Sequence, residues 1–262
     1  MNMILYFFLT SLLFSPSGFT KKPIWADEFN YEGLPDPKKW SYDVGNGNNG
    51  WGNQELQYYT NARKENAFVS NGTLKIRAIK ESYEGQEYTS ARLVSKKKGD
   101  FKYGRFEVRA KVPTGRGTWP AVWMLPTDWE YGGWPSSGEI DILEHVGYDP
   151  DVVHISVHTK AYHHSIGTQK TASRKLPGAT NSFHLYRVDW TPTYIKGFVD
   201  DVELFHFDNE GEDKNAWPFD QKFHWLINLA VGGMWGGQKG IDEAAFPAEF
   251  EVDYVRVYGW KK

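Results

Sequence analysis

The feature that most limits this chain is its alternation of apolar and polar residues. Thr73-Leu74-Lys75-Ile76-Arg77-Ala78 puts Leu74, Ile76 and Ala78 on one face and basic side chains on the other, the period of two that a half-buried strand requires. Residues 104–112 repeat the pattern over a longer run, with Phe106, Val108, Ala110 and Val112 inward. Segments 185–190, 195–199 and 202–207 predict a meander, turned at Thr191-Pro192-Thr193 and at Asp200-Asp201, and 224–231 and 251–258 supply two late strands. No stretch of ten or more residues shows the spacing of an amphipathic helix. Short strands between Gly- and Pro-rich turns, without alternating helices, predict an all-β sandwich or barrel. All-β units routinely reach the 262 residues present here as one domain. With no repeat or linker in view, one unit over 21–262 is expected.

The segment ahead of that unit has a different character. The run from Met3 to Phe14 is almost wholly apolar and then turns small and polar through Ser15-Pro16-Ser17-Gly18. Such a run is too short to span a bilayer and matches the core of a signal peptide. Its positive end is weak, since only the α-amino group precedes it, and the other reading is a buried N-terminal strand or helix. We expect a signal peptide over 1–20, a secreted or periplasmic protein, and no membrane contact once the leader is gone. The chain has no cysteine, which excludes disulfides, thiolate metal sites and a lipid-anchored cysteine. A monomer is expected.

Composition narrows the ligand. A net charge of −3 argues against nucleic acid, because a phosphate backbone is held by surplus Lys and Arg. The one basic run, Lys96-Lys97-Lys98, precedes Gly99-Asp100 and is expected in a solvated turn. Aromatic residues make up 16% of the chain, with 12 Trp. That is many for one core, and the apolar face of a sugar ring is a natural partner for an indole. Two loops carry the same mixture of Gly, Trp and amides: 44–53, with Asn49 and Trp51, and 231–240, with Trp235. A binding surface on loops above a rigid scaffold has this make-up.

Glu139, Asp141 and Glu144 interrupt the apolar stretch Ile140-Asp141-Ile142-Leu143. Burying carboxylates is costly unless they are paired, hydrogen-bonded or neutral. Three of them close to Trp134, with Trp119 and Trp123 upstream, suggest a site. Glycoside hydrolysis needs two carboxyl groups on one cleft face, one ionised and one protonated; a third acid can hold their protonation states apart. The spacing presents an obstacle. In a regular strand Glu139, Asp141 and Leu143 share a face and Glu144 points the other way. An extra residue near Ile142-Leu143, as a β-bulge, would bring Glu144 round, and bulges are over-represented beside active sites.

At this point the sequence resembles glycoside hydrolase family 16, in its laminarinase-like (endo-β-1,3-glucanase) branch. The likeness rests on Gly138-Glu139-Ile140-Asp141-Ile142-Leu143-Glu144-His145-Val146-Gly147 with Trp134-Pro135 before it. Further support comes from Trp119-Pro120-Ala121-Val122-Trp123-Met124-Leu125-Pro126, Glu55-Leu56-Gln57-Tyr58-Tyr59-Thr60 and Gly232-Gly233-Met234-Trp235-Gly236-Gly237. It spans roughly 23–262 and implies a β-jelly-roll sandwich of two antiparallel sheets with a concave substrate cleft. By the same resemblance Glu139 is the nucleophile, Asp141 its assisting acid and Glu144 the general acid/base. Arg92 is similar to an arginine that reaches a donor-side sugar, with an ordinary exposed strand arginine as the other reading. Trp119 and Trp134 look like sugar platforms, Trp123 like a core residue, and His158 like a histidine beside the acid/base. His154 and His158 also suggest a metal pair, but that spacing converges on a helix, and 152–157 reads as a strand. The family likeness further implies one structural Ca²⁺, held by Asp253 and the carbonyls of Glu28 and Gly72, and no cofactor for catalysis.

The expected function is retaining endo-hydrolysis of a β-glucan, with β-1,3 and mixed β-1,3/1,4 linkages both open. A non-catalytic glucan-binding module on the same fold is the alternative, and the acidic trio argues against it. Transglycosylation stays open as a side activity.

Overall fold

Alternation becomes two large sheets. The computed structural model describes residues 18–211 and 213–261, and its strands form one sheet of ten strands and one of eight, face to face as a jelly-roll sandwich. Pairing is antiparallel except between Gln57–Tyr59 and Gln86–Ser90, which run parallel. Among the described residues the longest helical element is the five-residue turn Gly50–Gln54.

The predicted faces hold. Leu74, Ile76, Ala78, Phe106, Val108 and Ala110 are all fully buried, and lie on adjoining strands bridged by Ala248–Tyr258. The meander appears as His184–Trp190, Tyr194–Val199 and Val202–Asp208. Its second turn uses Asp200 and Asp201 at φ 47° and 63°, the left-handed region that Asp tolerates. Lys96 to Lys98 do form a turn, and Lys98 Nζ donates to the carbonyls of Pro37 and Trp40, each at 2.8 Å.

The space between the sheets is filled largely by rings. Phe106 meets Trp190 and Trp225 at centroid distances of 5.9 and 5.5 Å, and Phe219 and Phe223 continue the stack. Each such ring contributes about 1.5–3 kcal/mol by leaving water. Trp40, Trp190, Trp217 and Trp225 are core. Trp51, Trp119, Trp123, Trp129 and Trp134 instead line a cleft on the outer face of the eight-stranded sheet. The excess of Trp over what one core needs therefore goes to the cleft.

That sheet runs in the order Lys170–Lys175, Val152–His158, Glu139–His145, Thr118–Pro126, Phe223–Val231, Arg92–Val94, Ser41–Asp43. The expected leader, 1–20, lies mostly outside the described residues. Gly18–Phe19, which the expectation placed inside it, pair with Trp260–Lys261 as a short antiparallel ribbon.

Candidate active site

The acid strand Glu139–His145 carries the predicted bulge. Against Val152–His158, Asp141 faces Ser156 and Glu144 faces His154, with a register shift between them. Three residues on one strand thus span two on the other. Against Thr118–Pro126 the shift recurs: Val122 faces Leu143 and Trp123 faces Asp141, so Ile142 is the extra residue. Ile142 and Leu143 are both fully buried, while Glu139, Asp141 and Glu144 all line the cleft, whose volume is about 310 Å³. One inserted residue has moved Glu144 to the face of the other two.

Each glutamate receives an indole hydrogen bond. Trp134 Nε1 donates to Glu139 Oε2 at 2.8 Å, and Trp119 Nε1 donates to Glu144 Oε1 at 3.1 Å. Both rings therefore orient an acid as well as offering an apolar face. Trp134 is 38% exposed and leans on His164 at a centroid distance of 5.1 Å.

Burial dominates the electrostatics. It pushes Glu139 up to about 8, the Asp141 charge adding to it while His158 and the Trp134 N–H oppose it. Glu144 rises to about 7, again chiefly by burial, with His158 lowering and Glu139 raising it. Asp141 lies well above the usual carboxylate range through burial and the Glu144 charge. Glu139 and Asp141 share a hydrogen bond, so one proton serves both.

His158 is not beside Glu144, as the resemblance implied. It faces Glu139 across the strand pair, with Nε2 3.3 Å from Asp141 Oδ2 and 4.0 Å from Glu139 Oε1. The neighbour of Glu144 is His154. The two histidines stand opposite different acids across the strand pair, and His158 also acts electrostatically on Glu144. Glu139, Asp141 and His158 do bring ligand atoms within 4.8 Å of one another, the one group among the described residues that could hold a cation through His or carboxylate ligands alone.

Arg92 is not an ordinary exposed arginine. It is 8% exposed, pairs with Asp43 at 3.0 Å, and lies between two indoles, 4.5 Å from the Trp51 ring and 4.8 Å from that of Trp123. Trp123 is consequently a cleft residue and not core. Trp119, Ala121, Trp123 and Leu125 all line the cleft, as every second residue of a strand must. Parity with Trp119 could have revealed this from the sequence.

The two loops are corrected in detail. Asn49 is exposed and outside the cleft lining; it sits at φ 51° ahead of the Gly50–Gln54 turn, and Asn53 is the amide that faces the cleft. Trp51 does line it, with Nε1 donating to the Gly45 carbonyl at 3.3 Å. Trp235 stands behind the lining, edge-on to Trp119 at 5.4 Å and to His154 at 4.9 Å, and Met234 takes its place in the cleft. Glu55, a cleft-lining carboxylate only 8% exposed, was not singled out from the sequence.

Strand register brings the candidate calcium donors to one stretch of the ten-stranded sheet. Ala248–Tyr258 is paired on one edge by Thr73–Tyr83 as far as Val252 and by Trp25–Asp27 from Val255. Asp253 falls in the gap, with Gly72 and Glu28 just past the ends of the two flanking strands. Backbone carbonyls plus one carboxylate suit calcium. The Glu28 carboxylate is occupied by Arg256 at 2.7 and 2.8 Å, which leaves its carbonyl. Asp253 gives Oδ2 to Arg109, which leaves Oδ1.

Comparison with known proteins places this geometry. The family model described as glycosyl hydrolases family 16 matches residues 54–256. The chain is 59% identical over 244 residues to the beta-glucanase of Rhodothermus marinus, covering 90% of this chain and 85% of that one. It is 38% identical over 255 residues to a glucan endo-1,3-beta-glucosidase of Cryptopygus antarcticus, covering 90% and 91%. The X-ray structure of the laminarinase from Rhodothermus marinus superposes with a TM-score of 0.91 at 57% identity, covering 94% of this chain and 100% of the other.

Proposed function

The chain belongs to glycosyl hydrolase family 16, and from that premise we propose that it is a retaining endo-β-glucanase acting on internal β-1,3 bonds of laminarin-type polysaccharides. The observation that carries the reading is the bulge, which sets Glu139 and Glu144 on one cleft face, each held by an indole.

The roles follow from the surroundings. Of the Glu139–Asp141 pair, Asp141 keeps the shared proton: its side chain is 2% exposed against 16% for Glu139, and it has no indole donor. Glu139 is then the anion, stabilised by Trp134 and by the proton on Asp141, and attacks the anomeric carbon. Glu144, raised to about 7 by burial, holds a proton at neutral pH and passes it to the departing glycosidic oxygen. In the second step Glu144, now ionised, takes a proton from water as that water displaces Glu139 from the glycosyl-enzyme. Two displacements return the β configuration. Proton NMR of early laminarin hydrolysis should therefore show the β-anomer first and mutarotation later; an α-anomer first would exclude the mechanism. Turnover of laminarin well above that of lichenan is expected, and the reverse order would move the assignment to mixed-linkage glucans.

A structural Ca²⁺ between Asp253 and the carbonyls of Glu28 and Gly72 would stabilise the native state by mass action and leave the chemistry alone. Chelation should lower the melting temperature of the wild type and not that of Asp253→Ala; equal behaviour of the two would remove the site. Export rests on the apolar run at 3–14, and a mature N-terminus beginning before residue 15 would contradict it.

A further inference from the structure

A chain of hydrogen bonds runs from the cleft floor to a carboxylate that the mechanism does not use. Trp123 Nε1 donates to Asn228 Oδ1 at 2.7 Å, Asn228 Nδ2 donates to the Tyr59 hydroxyl at 3.1 Å, and that hydroxyl donates to Glu55 Oε2 at 3.3 Å. An indole N–H can only donate. Its direction fixes the Asn228 amide, which fixes Tyr59 as a donor, so the chain has to end on an acceptor.

A second branch arrives with the same polarity. The Val231 backbone N–H donates to Gln57 Oε1 at 2.7 Å, which turns Gln57 Nε2 toward Glu55 Oε2, also at 2.7 Å. Asn53 Nδ2 supplies a third donor, to Glu55 Oε1 at 3.2 Å. Three donors meet one buried side chain, and only a carboxylate accepts them all without setting a donor against a donor. Burial raises the Glu55 carboxyl above its ordinary range, and the three donors and the Arg92 charge act against that rise.

The branches end on groups that face the ligand. Trp123 is one wall of the stack that holds Arg92, with Trp51 as the other, and Asn53 lines the cleft beside Glu55. Arg92 stands on Arg92–Val94, three strands from the acid strand, or about 14 Å at the usual spacing between strands, and Trp123 reaches toward it from the neighbouring strand, where it lies opposite Asp141. A sugar bound over Arg92, at the far side of the stack, is not the one that reacts.

We propose that Glu55 is a positioning residue: as the common acceptor it locks Trp123, Arg92 and Asn53 into a rigid subsite for a glucosyl unit remote from the cleaved bond. The proposal rests on the glucanase reading and adds a residue and a function to it. Uniform binding of a remote sugar changes KM and leaves the chemical step alone.

The test uses the intact protein with Glu55→Gln and Tyr59→Phe, singly and together. Tyr59 is fully buried and touches no sugar, so it reports on the chain alone. Glu55→Gln should raise KM for laminarin about tenfold with kcat within about twofold, and should leave hydrolysis of a short aryl β-glucoside that stops before the stack unaffected. Tyr59→Phe should give part of the same KM rise, and the double variant less than the product of the two. Loss of kcat at constant KM, an equal effect on the short glucoside, or multiplicative effects of the two substitutions would each overturn the proposal. Should Glu55→Gln fail to fold, the KM-against-kcat split in Tyr59→Phe decides alone. Wild-type turnover of laminarin tests the glucanase reading separately, since only the ratios between variants bear on Glu55.

Discussion

Carboxylates on the two sheets live in opposite company. On the ten-stranded sheet and its rim, Glu249 takes Arg77 at 2.7 Å, Asp189 takes Arg105 at 2.8 Å and Glu28 takes Arg256 at 2.7 Å. On the acid strand, no Lys or Arg among the described residues forms an ion pair with Glu139, Asp141 or Glu144; the basic side chain within range is His158. The outcome is visible in the acids. The Arg256 hydrogen bond holds Glu28 below the ordinary carboxylate range, whereas burial without a Lys or Arg partner lifts Glu139 to about 8. The strands alternate alike on both sheets, so the difference lies in the partners. Pairing with a base gives surface acids a fixed charge and little stability, and withholding the base makes buried acids costly and reactive.

The largest test of that contrast removes the unpaired acids. Glu139→Ala and Glu144→Ala should each cut glucanase turnover by about 10³-fold or more while the circular-dichroism spectrum stays that of a folded β protein. Near-normal turnover in either variant would leave the trio without its proposed role.

A smaller effect concerns stability. An unfolded Glu releases its proton near 4.5, but folded Glu144 keeps it to about 7, so between those values the native state binds more protons. Stability must then fall as pH rises through that window. Glu144→Gln removes the penalty, and its melting temperature should exceed the wild type's at pH 8 by about 2–4 °C per kcal/mol gained, with no advantage near pH 4.5. An advantage largest at pH 4.5 would invert the assignment. In activity, the alkaline limb of kcat should fall near pH 7, where Glu144 loses the proton it must donate.

The smallest effect belongs to the other sheet. Arg77→Ala opens the pair with Glu249, both partners of which are about one-third exposed. The expected cost is about 0–1 kcal/mol in chemical denaturation, with unchanged kcat and KM. A loss several times larger would mean that the outer pairs are more than surface ion pairs.

Much of this contrast was legible in the sequence. Alternation gave the inward faces at Leu74, Ile76 and Phe106, and counting parity from Glu139 to Glu144 called for one extra residue where Ile142 now stands. What stayed hidden depends on pairing between distant segments. Arg92 is buried because Trp51 and Trp123, 41 and 31 residues away in sequence, close on it from both sides. His158 stands opposite Glu139 and not Glu144 because register across the strand pair decides neighbours, and a single sequence carries no register. Asn49 and Asn53 exchanged places because a left-handed turn at Asn49 aims the loop. Glu55 was overlooked as one more acid in a motif; its meaning lies in Gln57, Tyr59 and Asn228, which reach it only in the fold.

The central claim is that Glu139 attacks while Glu144 protonates, and azide separates the two roles. An activated aryl β-glucoside does not need acid help to lose its leaving group, so Glu144→Ala should still form the glycosyl-enzyme on Glu139. Azide should then displace Glu139 and restore turnover, giving a β-glycosyl azide identifiable by the proton coupling at the anomeric carbon. An α-glycosyl azide from Glu144→Ala would mean that azide had replaced the nucleophile itself, and the two roles would have to be exchanged.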